Sequence, residues 1–249
     1  MIDFLVPLVA ALLAGTLNTL AGGGTFLTFP ALVLAGVPPV AANATSAVAV
    51  FPGYFGGALG FKRELKRFSG RQIGLLVCVT IIGAAIGSAL LMVSSNRLFS
   101  MIVPLLLLVA TLAFTFGESI QKLAGRSQGL LRPFGIVGIL LVSIYGGYFN
   151  GGLGIVLLAL FALWGLTDIH AMNGLKNGQS FVLSAVSVVI FALAGLVVWH
   201  HALPMMVAAY VGGYLGAPLA RRLPRRVVRG IVTGVGVVMT LVFGVRALA

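Results

Sequence analysis

Few side chains in this 249-residue chain can do chemistry, and their types favour holding an anion over moving a proton or binding a metal. The carboxylates are Asp3, Glu64, Glu118 and Asp168, all at segment ends or in connections. Cation-coupled carriers commonly keep a carboxylate inside the bilayer, and hydrolases need one as acid, base or metal ligand, so both classes lose ground. Cys78 is the single cysteine, which excludes an intramolecular disulfide and any CxxC metal spacing. His170, next to Asp168, reads as a loop or interface residue, and His200 and His201 read as solvated, with no third ligand in reach. No metal and no cofactor is expected.

Lys176 stands apart from this inventory. It falls inside an apolar segment, about five residues past a start near Ala171. An ammonium buried there is costly unless it is paired, hydrated or near the interface. It has no carboxylate at helical spacing, so an anionic ligand is an attractive partner; a lysine snorkelling to the cytoplasmic face and a pair with Asp168 are the plainer alternatives. Its neighbours Asn173, Asn177, Gln179 and Ser180 are polar, as is the earlier stretch Asn43, Thr45, Ser46. Buried amides and hydroxyls of this kind need partners.

Each polar stretch follows a glycine cluster, Gly22-Gly23-Gly24-Thr25 in one case and Gly151-Gly152-Leu153-Gly154 in the other. Such runs break a helix and start the next one with free N–H groups, which bind anions through hydrogen bonds and the helix dipole. Two such N-termini joined by Lys176 would suit a small oxyanion, although the glycines could also serve only to make a tight turn. Asn18 and Asn150 flank the clusters and could orient a ligand or satisfy the freed backbone.

The elements that must position these residues are membrane helices. Apolar residues make up 60% of the chain, charged residues 8%, and the mean hydropathy is +1.15, outside the range of soluble domains. The apolar runs are continuous and do not alternate, which argues against a β-barrel. The net charge of +12 does not indicate nucleic acid. Five basic residues lie in Lys62 to Arg71, three in Lys122 to Arg132 and five in Arg221 to Arg229, the pattern of cytoplasmic loops. The N-terminus lacks a basic n-region, so the first segment reads as a retained span.

Helical segments are predicted over 2–21, 23–36, 40–60, 72–93 and 98–117, then 133–150, 152–166, 171–199, 203–220 and 228–248. The second element of each set is too short for a comfortable crossing, so eight or ten crossings are both compatible with the pattern. Sliding the chain by 130 positions lays Gly22, Gly24, Ala41 and Asn43 on Gly152, Gly154, Ala171 and Asn173; an offset of 129 lays Gly83 and Gly87 on Gly212 and Gly216. Equivalent loops carry opposite charge, so the halves are expected to insert upside down relative to one another, as in many secondary transporters. The expected fold class is an all-α polytopic membrane protein of two inverted repeats with glycine-broken helices. Residues 1–118 form the first repeat, 119–132 a cytoplasmic linker and 133–249 the second. Gly53, Gly56, Gly57, Gly60, Gly83, Gly87, Gly212, Gly213 and Gly216 are read as helix-packing positions.

The stretch Asn18-Thr-Leu-Ala-Gly-Gly-Gly-Thr-Phe26, with Pro30, Pro38 and Asn43-Ala-Thr-Ser46, then the second Gly-Gly-x-Gly and Asn173-Gly-x-Lys-Asn177, resembles the TauE/SafE sulfite exporter family over essentially the whole chain. The resemblance implies export of sulfite, sulfoacetate or a related organosulfur anion across the bacterial inner membrane. It also implies a site drawn from Gly22, Gly23, Gly24, Thr25, Asn43, Thr45, Ser46, Gly151, Gly152, Gly154, Asn173, Lys176 and Asn177, to which the residue reading adds Asn18, Asn150 and Gln179. The partners expected are a small anion and the lipid bilayer, with a homodimer allowed. A membrane-embedded scaffold, an enzyme of sulfur metabolism and a carrier for another solute are the competing readings.

Overall fold

The computed structural model describes residues 2–20, 23–60, 65, 68–126, 134–222 and 225–248. Among them the chain is all-helical, with α1 (Ile2–Leu20), α2 (Thr25–Leu34), α3 (Pro39–Gly60), α4 (Gly70–Val93) and α5 (Asn96–Arg126). The second half holds α6 (Ile136–Tyr148), α7 (Leu153–Leu163), α8 (Ile169–Leu193), α9 (Trp199–Arg222) and α10 (Arg225–Leu248). Two of these, over Gly70–Val93 and His170–Leu193, are long and apolar enough by themselves to cross a bilayer.

Large apolar side chains face outward along the bundle, among them Leu90 on α4, Leu105 on α5, Val137 on α6, Val207 on α9 and Leu241 on α10. An exterior of this kind is wetted by lipid, not by water. Polar side chains are instead turned inward: Thr28, Thr45, Ser46, Thr80, Ser88, Ser180 and Ser184 are fully buried. This inversion of the usual partition is what a multi-pass membrane protein requires.

At 10 and 11 residues, α2 and α7 are about 15 Å long at helical rise, roughly half of a ~30 Å hydrocarbon core. Both are half-helices. Their ends use one device. Gly36 and Gly165 both have φ +84°; Gly36 N–H donates to Val33 and Val37 N–H to Leu32, while Gly165 N–H donates to Ala162 and Leu166 N–H to Phe161. These are glycine-ended helix caps in the left-handed region, 129 positions apart.

Three helix pairings set the frame. Residues near the start of α1 meet the start of α9, where Phe4 stacks on His201 at 5.9 Å, and Thr16 Oγ1 donates to the Gly212 carbonyl at 2.9 Å, so the two run parallel. Likewise α4 runs parallel to α6, Gly83 lying against Leu140 and Ser143, and Gly87 against Ile144 and Tyr148. Between them α3 and α8 cross antiparallel: the Phe51 and Phe181 rings stack at 5.4 Å, while Thr45 near the start of α3 meets Val198 just past the end of α8.

Two helix ends differ most from the sequence reading. The fifth helix runs on to Arg126 instead of ending near 117, because the polar stretch Glu118-Ser-Ile-Gln-Lys-Leu-Ala consists mostly of good helix formers. Gly195, at φ +68°, ends α8 early, so Trp199, His200 and His201 form the first turn of α9. His201 is therefore buried beside Phe4 and not in a solvated loop.

Local signals fix some ends outright. Ser69 opens α4 with a capping box: Gln72 N–H donates to Ser69 Oγ at 3.2 Å and Ser69 N–H to Gln72 Oε1 at 3.0 Å. Ser69→Ala is expected to lower stability by about 1 kcal/mol in detergent unfolding and to leave transport unchanged, since the cap lies at the solvent-exposed end of α4.

Candidate functional site

Both helix breaks lie deep in the bundle and come together. In the first, Asn18 Oδ1 accepts from Gly24 N–H at 2.8 Å. The N–H groups of Phe26 and Leu27 turn back to the Gly23 and Gly24 carbonyls. Several donors that the sequence reading leaves for a ligand are thus used locally. Thr25 is buried at the head of α2, and Gly22 lies outside the described residues.

In the second break Asn150 and Gly152 both take left-handed backbone, at φ 59° and 68°. The Tyr145 hydroxyl donates to the Gly151 carbonyl, and the Gly152 carbonyl accepts from Ile155 and Val156 N–H, with Gly154 buried in the first turn of α7. Both polar atoms of the Asn150 side chain are buried and unpartnered among the described residues. The two breaks touch: a Cβ on Gly152 would stand 3.3 Å from the Phe26 ring and 3.1 Å from Ala110 Cβ. Phe29, one turn further along α2, lies 5.8 Å from Phe149.

The polar followers do not share one level. Thr28 Oγ1 and Ser46 Oγ are 2.6 Å apart, which ties the first turn of α2 to α3. Ser46 and Lys176 each precede a ring of the Phe51–Phe181 stack by five residues, on antiparallel helices. They therefore flank that stack on opposite sides, about 15 Å apart along the bundle at 1.5 Å per residue. Asn43 Nδ2 donates to the Tyr148 carbonyl at 2.9 Å, leaving Oδ1 unpartnered. Thr45 Oγ1 accepts from Val198 N–H. These two side chains fasten α3 to its neighbours.

Around Lys176 the picture is the opposite. The lysine is 3% exposed, and among the described residues no hydrogen bond or ion pair engages its ammonium. Asp168 accepts from the N–H groups of His170 and Ala171 as the cap of α8. Asn177 is buried and Asn173 half-buried on the same helix. Gln179 is buried with neither amide atom partnered, and the hydroxyls of Ser180 and Ser184 are buried and unpartnered as well.

Thr80 and Ser184 are absent from the sequence-derived set, yet both are fully buried with no partner. The signal for Ser184 was present in its spacing: it follows Lys176 and Ser180 at helical intervals on one face. Nothing in the sequence marks Thr80, whose burial against α8 arises only from packing. The site as built has one cation, several neutral donors and no carboxylate among the described residues within it. It can hold an anion by charge and hydrogen bonding, and it offers no nucleophile paired with a base.

The chain is similar to several known membrane transporter proteins. The chain is 27% identical over 200 residues to a "Probable membrane transporter protein" of Haemophilus influenzae, covering 80% of this chain and 78% of that one. It is 27% identical over 206 residues to the "Probable membrane transporter protein YfcA" of Escherichia coli K12, covering 81% and 75%. It is 25% identical over 205 residues to the "Probable membrane transporter protein ORF9" of a Sinorhizobium species, covering 82% and 78%. No solved structure matches. Residues 7–243 match the family described as sulfite exporter TauE/SafE, and the chain, an integral membrane protein with the fold and buried polar residues set out above, belongs to that family of membrane transporters.

Proposed function

We propose that the protein is a permease that exports a small sulfur-containing anion, sulfite or a short organosulfonate, across the bacterial inner membrane. The observation that carries this reading is Lys176, an ammonium buried without an ion pair among the described residues and next along the helix to unpartnered donors on Gln179 and Ser180. A buried charge of this kind is neutralised or compensated, and an oxyanion supplies both the charge and the acceptors.

The architecture supporting it is a pair of inverted repeats, residues 1–118 and 133–249, with 119–132 as a cytoplasmic linker whose first part continues α5. Three features support the inversion. Phe51 and Phe181, equivalent at an offset of 130, stack on each other, as expected of residues on a two-fold pseudo-axis. The glycine caps of α2 and α7 match. Finally, the first helix of each half packs on the fourth helix of the other half, α1 on α9 and α6 on α4. The basic loops are cytoplasmic on the positive-inside rule. Leu65, from the first of them, packs beside Ile73 and Leu175, so the N-terminal end of α8 faces the cytoplasm.

An inside-negative potential drives an anion outward by about 2.3 kcal/mol per charge per 100 mV, about fifty-fold in the equilibrium concentration ratio. No coupling carboxylate is required. In proteoliposomes screened with sulfite, sulfate, sulfoacetate and thiosulfate, efflux of sulfite or sulfoacetate is expected to rise with an imposed inside-negative potential. Flux that ignores the potential and follows a proton gradient would overturn the driving force. Absence of flux for all four anions would favour the scaffold or enzyme readings.

A further inference from the structure

Six polar residues recur at intervals of one, three or four along α8: Asn173, Lys176, Asn177, Ser180, Ser184 and Ser187. At 100° per residue they fall within about 100° of the helix circumference, and they extend for ~21 Å, most of a ~30 Å hydrocarbon core. All but the half-buried Asn173 are buried.

Hydroxyls in a membrane helix usually return a hydrogen bond to the carbonyl four residues back. This chain follows that habit elsewhere: Thr16 donates to Leu12, Ser94 to Leu90, Thr115 to Thr111 and Thr240 to Gly236. Ser180 and Ser184 do not, and their hydroxyls find no other partner. Both are completely enclosed, where alanine would pack equally well without burying an unsatisfied group. Hydroxyls in that condition are available to a partner that is present only part of the time.

The stripe has different surroundings at its two ends. Toward the cytoplasmic end, a cavity of about 210 Å³ between α4 and α8 reaches Thr80 and Gln179 beneath Leu65, and neither polar side chain has a partner. At the other end the stripe is tied shut. Ser88 Oγ on α4 is 2.9 Å from Ser187 Oγ and 3.3 Å from the Gly147 carbonyl on α6, so one buried cluster joins three helices.

Taking the permease reading as given, we infer that this face of α8 is the translocation path. The anion enters from the cytoplasmic end of α8, is held at Lys176, and passes the level of the α4–α8 cavity, where Thr80 and Gln179 lie, to the hydroxyls of Ser180 and Ser184. The Ser88–Ser187–Gly147 contact closes the exit. Serine suits such a lane because each hydroxyl offers one donor that can rotate to follow a moving acceptor, and Lys176 sets the sign of the charge admitted.

The single native cysteine makes the test direct. In a Cys78→Ser background, Ser180→Cys, Ser184→Cys, Ser187→Cys and the lipid-facing control Val189→Cys are each treated, in membrane vesicles of either orientation, with a small charged methanethiosulfonate reagent. From the cytoplasmic side, positions 180 and 184 are expected to react at least tenfold faster than 189, and sulfoacetate should slow them. Position 187 is expected to become reactive from that side only when Ser88→Ala is added. Rates at 180 and 184 no faster than at 189 from either side would overturn the path. Flux assayed in the same vesicles separates the two ideas: labelling without flux of any anion supports a polar path and sinks the permease, whereas flux without labelling sinks the path and spares the permease.

Discussion

Lys176→Met is expected to reduce anion flux by a factor of about 100 or more and, at the same time, to make the protein more resistant to unfolding. The two effects have one cause. Lys176 is 3% exposed and its ammonium has no protein partner among the described residues, so the ligand-free protein bears its desolvation cost alone. Exchanging buried ionic groups for apolar ones of similar volume is often neutral or stabilising by about 1–4 kcal/mol. Loss of one member of a desolvated charge pair costs about 3–5 kcal/mol, which is about two to three and a half decades in anion affinity. Lys176→Arg should retain part of the flux, since the charge persists while the larger, rigid guanidinium fits poorly. Flux in proteoliposomes and the unfolding midpoint in detergent are read on the same preparations. If Lys176→Met lost flux and stability together, the lysine would be a structural partner, and the anion site would have to lie elsewhere.

The second large effect is expected at two glycines buried in helix–helix contacts, one on α4 and one on α9. Gly87→Leu and Gly212→Leu should each leave little folded protein in the membrane. A Cβ on Gly87 would run into the Ile144 carbonyl oxygen and stand 2.8 Å from Tyr148 N; one on Gly212 would run into the Leu12 carbonyl oxygen and stand 2.7 Å from the Leu12 carbonyl carbon. Overpacking against side chains typically costs about 1–3 kcal/mol. Here the obstacle is helix backbone, which cannot change rotamer, so the helices must separate. Total stabilities are only about 5–15 kcal/mol, and the helices being pried apart, α1 and α6, are the ones that lead into the Asn18 and Asn150 breaks. Gly53→Leu is the control: the same change on α3, where a Cβ meets nothing within 4 Å, should accumulate and transport normally. Size-exclusion profiles of fluorescently tagged variants measure all three. A monodisperse, active Gly87→Leu protein would contradict the close α4–α6 contact.

Much of the scaffold was legible because it is encoded locally. Apolar runs, glycine breaks and flanking polar residues fix where a helix begins and ends within a few residues, which is why all ten predicted segments correspond to helices. The extension of α5 to Arg126 was missed because polarity was read as the end of a span. It marks only the end of the apolar part, and the helix-forming residues beyond it keep the backbone helical. The C-terminal end of α8 was misjudged because Gly195 sits within an otherwise apolar stretch, and only its positive φ shows that it ends the helix.

The candidate site was legible as a set of residue types and not as an arrangement. Asn18 and Asn150 read alike in the sequence, yet one spends its oxygen on Gly24 N–H and the other is left with both polar atoms unpartnered. Thr45 and Ser46 are adjacent, but Thr45 turns to Val198 N–H and Ser46 to Thr28. The sequence by itself determined that this is a membrane protein of about ten helical elements, with a lysine inside an apolar segment and very few carboxylates, because composition and local periodicity carry that information. Tertiary structure alone decided which polar groups remain unsatisfied and at what depth. Partner choice depends on the rotation and stagger of helices far apart in sequence: the antiparallel crossing of α3 and α8 at Phe51 and Phe181 separates Ser46 from Lys176, and on α8 Ser187 meets Ser88 while Ser180 and Ser184 are left without partners among the described residues.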